Sequence, residues 1–160
     1  MNVREAEIRS IREFMYENRG YLRGRVLDFG AGTQPYRSLV EGEYIAFERG
    51  DAYEPEYGRA DAVMCNQVLQ YAHRPLEMLV VMRHMLKPGG ALVLTYPTSW
   101  TEIESNDFWR FTKAGMEYLL NSAGFRIVVH DKRAEVFNQE DRFAFSLGYG
   151  CVAVVREVGS

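Results

Sequence analysis

The stretch Val26-Leu27-Asp28-Phe29-Gly30-Ala31-Gly32-Thr33-Gln34-Pro35-Tyr36 (VLDFGAGTQPY) decides how this chain is to be read. An apolar run ends in an acid and then in two glycines one residue apart, so a strand gives way to a turn whose bare backbone lets a ligand come close. Open α/β sheets bind their ligands at this place, the carboxyl ends of the strands. A phosphate site would ask for more. A P-loop needs Gly-Lys-Ser/Thr, but Gln34, Pro35 and Tyr36 follow here, and Pro35 stands where the dinucleotide fingerprint wants its third glycine. With Asp28 at the strand end, the turn offers a carboxylate where a pyrophosphate would sit, which favours a cationic or hydroxyl-rich ligand.

Outward from this turn the pattern alternates. Ile8, Ile11, Phe14 and Met15 mark one face of a first helix from Val3 to Tyr16. Arg25–Phe29 and Tyr44–Phe47 are short apolar runs, Ala62–Cys65 continues into Val68 and Leu69, and Ala91–Tyr96 is closed by Pro97. Between the last two lies PLEMLVVMRHMLKPGG, with Pro75 suited to a first helical turn and Lys87, Pro88 and Gly89 marking the end. Thr112 caps a further helix that Gly124 terminates, and Phe125–His130 and Tyr149–Val155 read as final strands. This order predicts one α/β domain over residues 1–160, with a mostly parallel sheet and an antiparallel last strand.

The 160 residues, 47% of them hydrophobic, suffice for a core without metal or disulfide staples. Cys65 and Cys151 lie far apart in apolar runs and read as buried small hydrophobes, in keeping with a reducing cytoplasm. The charged amphipathic N-terminus has no apolar h-region, and nowhere do about 18 apolar residues follow one another, so a soluble, cytoplasmic protein without an export signal is expected. A net charge of −3 with mixed signs argues against nucleic acid as partner.

A sulfonium nucleoside is a ligand of the favoured kind, and at this point the chain resembles a family. VLDFGAGTQPY is similar to the first motif of class I S-adenosylmethionine (SAM)-dependent methyltransferases, of the methyltransferase type 11-like group. YIAFE, DAVMCNQVLQYAHRP and MLKPGGALVLTYP agree in order and spacing, and NDFWRFTKAGMEYLLNSAGF resembles the DYWRFT-type segment of one subset. The likeness spans roughly residues 25–130. It implies a Rossmann-like sandwich with SAM as cofactor and a methyl acceptor that is a small molecule. It also implies that Asp28, Gly30, Ala31 and Gly32 cradle the methionine part, while Glu48, twenty residues after Asp28, accepts hydrogen bonds from the ribose hydroxyls. Asn66, Gln67 and Val68 would run beneath the cofactor. Asn66 to Leu69 is not the [DN]PP[FY] tetrad of base-amino methyltransferases.

The chain departs from the family in two places. Arg49 and Gly50 alone separate Glu48 from Asp51, so the helix and third strand that normally follow the second strand are reduced or absent. Three residue steps reach at most about 10 Å, enough to bridge a ribose site at Glu48 and an adenine contact at Asp51. Asp51 reads equally as an exposed turn acid. The loss leaves the second strand as a sheet edge through which two copies could pair. Secondly, Gln70 and Tyr71 replace an acid-histidine pair, which leaves Tyr71 and the nearby His73 as candidates for the catalytic step. Tyr36, Tyr71 and Trp109 offer aromatic faces to a cation. Arg110 reads either as a ligand for an acidic substrate group or as the ion-pair partner of Asp107. The rival to an enzyme is a non-catalytic SAM-binding or interaction module. A nicotinamide oxidoreductase suits Glu48 but not Pro35.

Overall fold

The computed structural model describes residues 2–48, 57–138 and 143–157. Its first helix, α1 (Val3–Glu17), starts at a reciprocal cap: Asn2 accepts from the Glu5 amide at 2.9 Å and Glu5 accepts from the Asn2 amide at 3.1 Å. β1 (Arg23–Phe29), β2 (Glu41–Phe47) and β3 (Ala60–Asn66) follow, then α2 (Pro75–Met85), β4 (Leu86–Pro97), α3 (Lys113–Ser122), β5 (Phe125–Asn138) and β6 (Phe143–Val155). The sheet order is β2-β1-β3-β4-β6-β5, with β6 antiparallel to both its neighbours and the first four strands parallel. Among the described residues β2 is an edge, and the family's third strand has no counterpart beyond it.

Alternate strand residues face two cores. Leu27, Val63, Cys65, Leu92 and Leu94 point to the side covered by α2 and α3, while Val26, Ala62, Met64 and Val93 meet Ile11, Phe14 and Met15 of α1. Cys65 and Cys151 are free and buried. No described helix is long and apolar enough to cross a membrane.

Ile8, expected on the inner face of α1, is exposed. The buried stripe runs instead through Glu7, Ser10, Ile11 and Phe14, because a buried cation opposite needs partners. Arg133 of β5 donates to Glu7 Oε1 and Ser10 Oγ, each at 3.0 Å, and to the carbonyls of Tyr149 and Tyr96 at 3.0 and 3.2 Å. The strut moors α1 to the β5/β6 half of the sheet.

Three boundaries differ from the sequence expectation. β3 stops at Asn66, since Gln67 takes the left-handed conformation (φ +55°) and turns the chain, so Val68 and Leu69 leave the strand. α2 ends at Met85 rather than at Lys87–Gly89, because the chain entering β3 takes its last carbonyls: Gly58 N donates to His84 O at 2.7 Å and Arg59 N to Met85 O at 3.1 Å. Leu86 then pairs with Ala60, and Lys87–Gly90 is an excursion before Ala91 resumes pairing with Ala62. Finally, β5 and β6 run on as a two-stranded ribbon past Gly148, the partner of Pro97 at the end of β4. Beyond that point each strand is extended by its pairing with the other, from Glu135–Ser146 to Asn138–Phe143.

Candidate functional site

The glycine turn lies at the carboxyl edge of β1, next to β2 and β3. Gly30 has φ +69°, and a Cβ there would stand 2.5 Å from Val68 Cγ2. A side chain is thus excluded by both backbone and neighbour. Gly32 has φ +52° and open space above it. The turn is hung on β2 through Gly30 N, which donates to Phe47 O at 2.8 Å.

Two adjoining spaces open around it. A cleft of about 770 Å³ is walled by Phe29, Phe47, Val68 and Met78, with Glu48, Asn66, Gln67, Tyr71 and His73 among its polar groups. A recess of about 260 Å³ lies on the α1 side, between Ile11, Asp28, Ala31 and Tyr36. Gly30, Gly32, Asn66 and Gln67 border both. Of the residues named from sequence, Asp28, Gly30, Ala31, Gly32, Tyr36, Glu48, Asn66, Gln67, Val68, Tyr71 and His73 are therefore gathered around one opening. Asp51 lies outside the described residues.

Asp28 is 2% exposed and accepts from the Tyr44 hydroxyl at 2.6 Å. Burial raises its pKa from 3.8 to about 6; the Tyr44 bond opposes the rise and the Glu48 charge adds to it. Glu48, exposed at the mouth, accepts a hydrogen bond from Gly32 N, so its carboxylate spans from β2 to the glycine turn. Asn66 is oriented by Thr95 Oγ1, which donates to its Oδ1 at 3.0 Å. That bond fixes the amide, and Asn66 Nδ2 is left buried without a partner, a donor in want of an acceptor. Gln67 N donates to Thr95 O at 3.0 Å and holds the strained corner.

Tyr71 is half-buried, and burial pushes its phenol pKa up, so it remains a neutral hydroxyl. His73 is exposed, its ring 5.0 Å from that of Phe108. Trp109 and Arg110 fall outside the cleft. The Trp109 indole donates to Ala72 O at 2.7 Å and faces a separate groove. Arg110 corrects the acidic-substrate reading: Asp107 takes two of its hydrogen bonds at 2.6 and 2.7 Å, and the carbonyls of Trp100, Thr101 and Trp109 take the other three. All five donors of the guanidinium are committed to the loop. The pairing holds the Asp107 carboxyl below its ordinary pKa.

Sequence reasoning missed Tyr44, Thr95 and the apolar walls Phe47 and Met78. Tyr44 carried a signal, because parallel register sets it beside Val26, two residues before Asp28 and on the same face. Thr95 carried none, since its role is to orient a neighbouring strand's side chain.

Residues 3–130 match the family described as a methyltransferase domain. No curated protein matches the chain in sequence. Among solved structures, a SAM-dependent methyltransferase from Archaeoglobus fulgidus is similar with a TM-score of 0.70 and 15% identity, over 93% of this chain and 94% of that one. The methyltransferase bound to the Trm112 activator in a Haloferax volcanii complex gives 0.68 and 14%, over 97% and 95%. The 1,6-didemethyltoxoflavin N1-methyltransferase of Burkholderia thailandensis, crystallised with 1,6-didemethyltoxoflavin and S-adenosylhomocysteine, gives 0.66 and 16%, over 92% and 79%. At these identities the structural likenesses speak for the fold; the family match, which spans most of the chain, says more. The chain belongs to the methyltransferase-domain family.

Proposed function

We propose that the protein moves the methyl group of SAM to a small-molecule acceptor. The observation that carries this reading is the glycine turn set between two carboxylates, Asp28 and Glu48, at the meeting of a recess and a larger apolar-walled cleft. The residues present fit the cofactor. The open space over Gly32 admits it, and the unpartnered Asn66 Nδ2 supplies a donor where a polar ligand would lie. When bound, SAM supplies a methyl carbon already activated by a sulfonium.

The chain's own residues then have the task of holding the two reactants aligned, about 3 to 3.5 Å apart. Asp28, which lines the recess, would hold the ammonium of the methionine part. Glu48, which accepts from Gly32 N, would hold the ribose hydroxyls. Phe47, Val68 and Met78 would cover the adenine, and Tyr36 would lie along the methionine side. Tyr71, kept protonated, donates a hydrogen bond from its hydroxyl to the acceptor and turns it toward the methyl group. His73, at the rim of the cleft, takes up the acceptor's proton on an imidazole nitrogen. Because Gln70 and Tyr71 stand where relatives carry an acid-histidine pair, an amine or thiol acceptor is favoured over a poorly acidic hydroxyl.

Calorimetric titration with SAM, followed by a metabolite screen for release of S-adenosylhomocysteine, tests the assignment. Binding in the micromolar range and turnover with at least one amine or thiol is the expected result; no heat with SAM would defeat it. The β2 edge also supports pairing of two copies, for which sedimentation velocity is the check: a monomer at high concentration excludes it.

A further inference from the structure

We propose that the methyl acceptor carries a neutral apolar or aromatic arm, and that this arm lies in the groove between α2 and α3. The inference rests on the methyltransferase reading above. The groove holds about 580 Å³, the size of a small-molecule site, and it begins where the cleft ends: His73 lines both.

The ridge between the two spaces is firmly built. Phe108 N and Trp109 N donate to Gln70 O at 2.9 and 3.2 Å, and the Trp109 indole donates to Ala72 O at 2.7 Å. These bonds lash the 108–109 segment to the 70–73 segment. On the crest, the His73 and Phe108 rings stand 5.0 Å apart, and Phe108 is 45% exposed. Beyond it Leu76, Trp109 and Tyr118 present apolar surface, 36%, 42% and 71% exposed. Large apolar side chains gathered around one concavity mark a place that something covers.

The chemistry of the walls selects a neutral occupant. The single donor of Trp109 is spent on Ala72, so the indole offers only its face. The five donors of Arg110 are spent on the loop. Arg74 and Glu77 pair with each other at 2.8 Å. The permanent charges that line the groove are thus offset by their ion-pair partners, which favours a neutral occupant over an ionic one. Continuity with the cleft assigns the groove to the acceptor rather than to a second chain.

The test uses 5′-methylthioadenosine and a ladder of 5′-(phenylalkylthio)adenosines of increasing length, whose chains leave from the atom that carries the methyl group in SAM. They are titrated calorimetrically into the wild type, Leu76→Glu and Tyr118→Glu. Glutamate suits the first turn of α2, and Tyr118 is mostly in solvent, so both variants keep the fold. 5′-Methylthioadenosine is expected to bind all three alike. In the wild type, affinity should rise about tenfold or more once the chain clears His73, as burial of a phenyl group predicts, and the rise should vanish in both variants. If SAM itself, titrated alongside, fails to bind the wild type, the methyltransferase reading falls and takes this inference with it. If it binds but longer chains add nothing, or their gain survives both substitutions, the groove is not the acceptor's. Self-association of the wild type that both variants abolish, with no gain from the chain, would assign the groove to a second copy instead.

Discussion

The Tyr44 hydroxyl, presented by the edge strand β2, donates to Asp28 Oδ2 across 2.6 Å and keeps a buried carboxylate within reach of ionisation at neutral pH. Burial raises the Asp28 pKa to about 6, and Tyr44 is the group that restrains the rise. Tyr44→Phe should therefore move it higher still. SAM affinity, which needs the carboxylate charged, should climb with pH through about 6 in the wild type and level off above it. In Tyr44→Phe the climb should shift to higher pH, with a several-fold loss at pH 7. Calorimetric titrations across pH 5 to 8 read both, and a flat profile in the wild type would contradict the role given to Asp28.

The same carboxylate should cost stability. Its folded pKa lies above the unfolded 3.8, so the native state binds more protons and this group's contribution falls as pH rises from about 4 to 6. Asp28→Asn still accepts from Tyr44 but carries no charge. It should raise the stability of the ligand-free protein at pH 7 by roughly 1–3 kcal/mol and abolish SAM binding. Chemical denaturation at pH 7 and pH 4 checks it: the gain should be large at the first and small at the second.

The two glycines of the turn should fail differently. Gly30→Ala meets Val68 Cγ2 and a left-handed backbone, so a loss of roughly 2–4 kcal/mol in folding stability is expected. Gly32→Ala meets open space and should lose about 1 kcal/mol from the backbone alone, while its new methyl group intrudes on the cofactor. Thermal melts paired with SAM titrations separate them.

Glu7 and Arg133 form a buried pair, 11% and 1% exposed at the side chains. Glu7→Ala leaves a guanidinium buried without its counter-charge and should cost about 3–5 kcal/mol. Arg133→Met combined with Glu7→Leu should cost clearly less than the sum of the two single changes. A double-mutant cycle by urea unfolding measures the coupling.

His73→Asn should leave SAM affinity unchanged and lower kcat by about tenfold to a hundredfold, most for the least acidic acceptors. Equal loss across acceptors of differing acidity would show that the ring positions the substrate and does not take its proton.

How far the residues alone foretell this molecule depends on whether a position answers to local chemistry or to a distant partner. The glycine turn, Pro75, Thr112 and the alternating apolar runs each obey a local rule, and each stands where the rule puts it: Thr112 Oγ1 accepts from Gly115 N at 3.0 Å as the cap of α3. Ile8 and the far ends of the last two strands answer to distant partners instead. The inward face of α1 is set by Arg133, more than a hundred residues away, and β5 and β6 run past Gly148 by pairing with each other as far as Asn138 and Phe143. Arg110 was legible as an ion-pair partner of Asp107, three positions away. That its remaining donors are spent on three carbonyls needs the folded loop.

The mooring of α1 by Arg133 has a mechanical corollary. The recess has one jaw on the N-terminal helix, held by the far half of the sheet, and its other jaw on the turn after β1. A guest gripped between them would tie the N-terminal helix to the turn after β1. Amide exchange in the α1 backbone should slow when the recess fills, although no residue of that helix beyond Ile11 lines it.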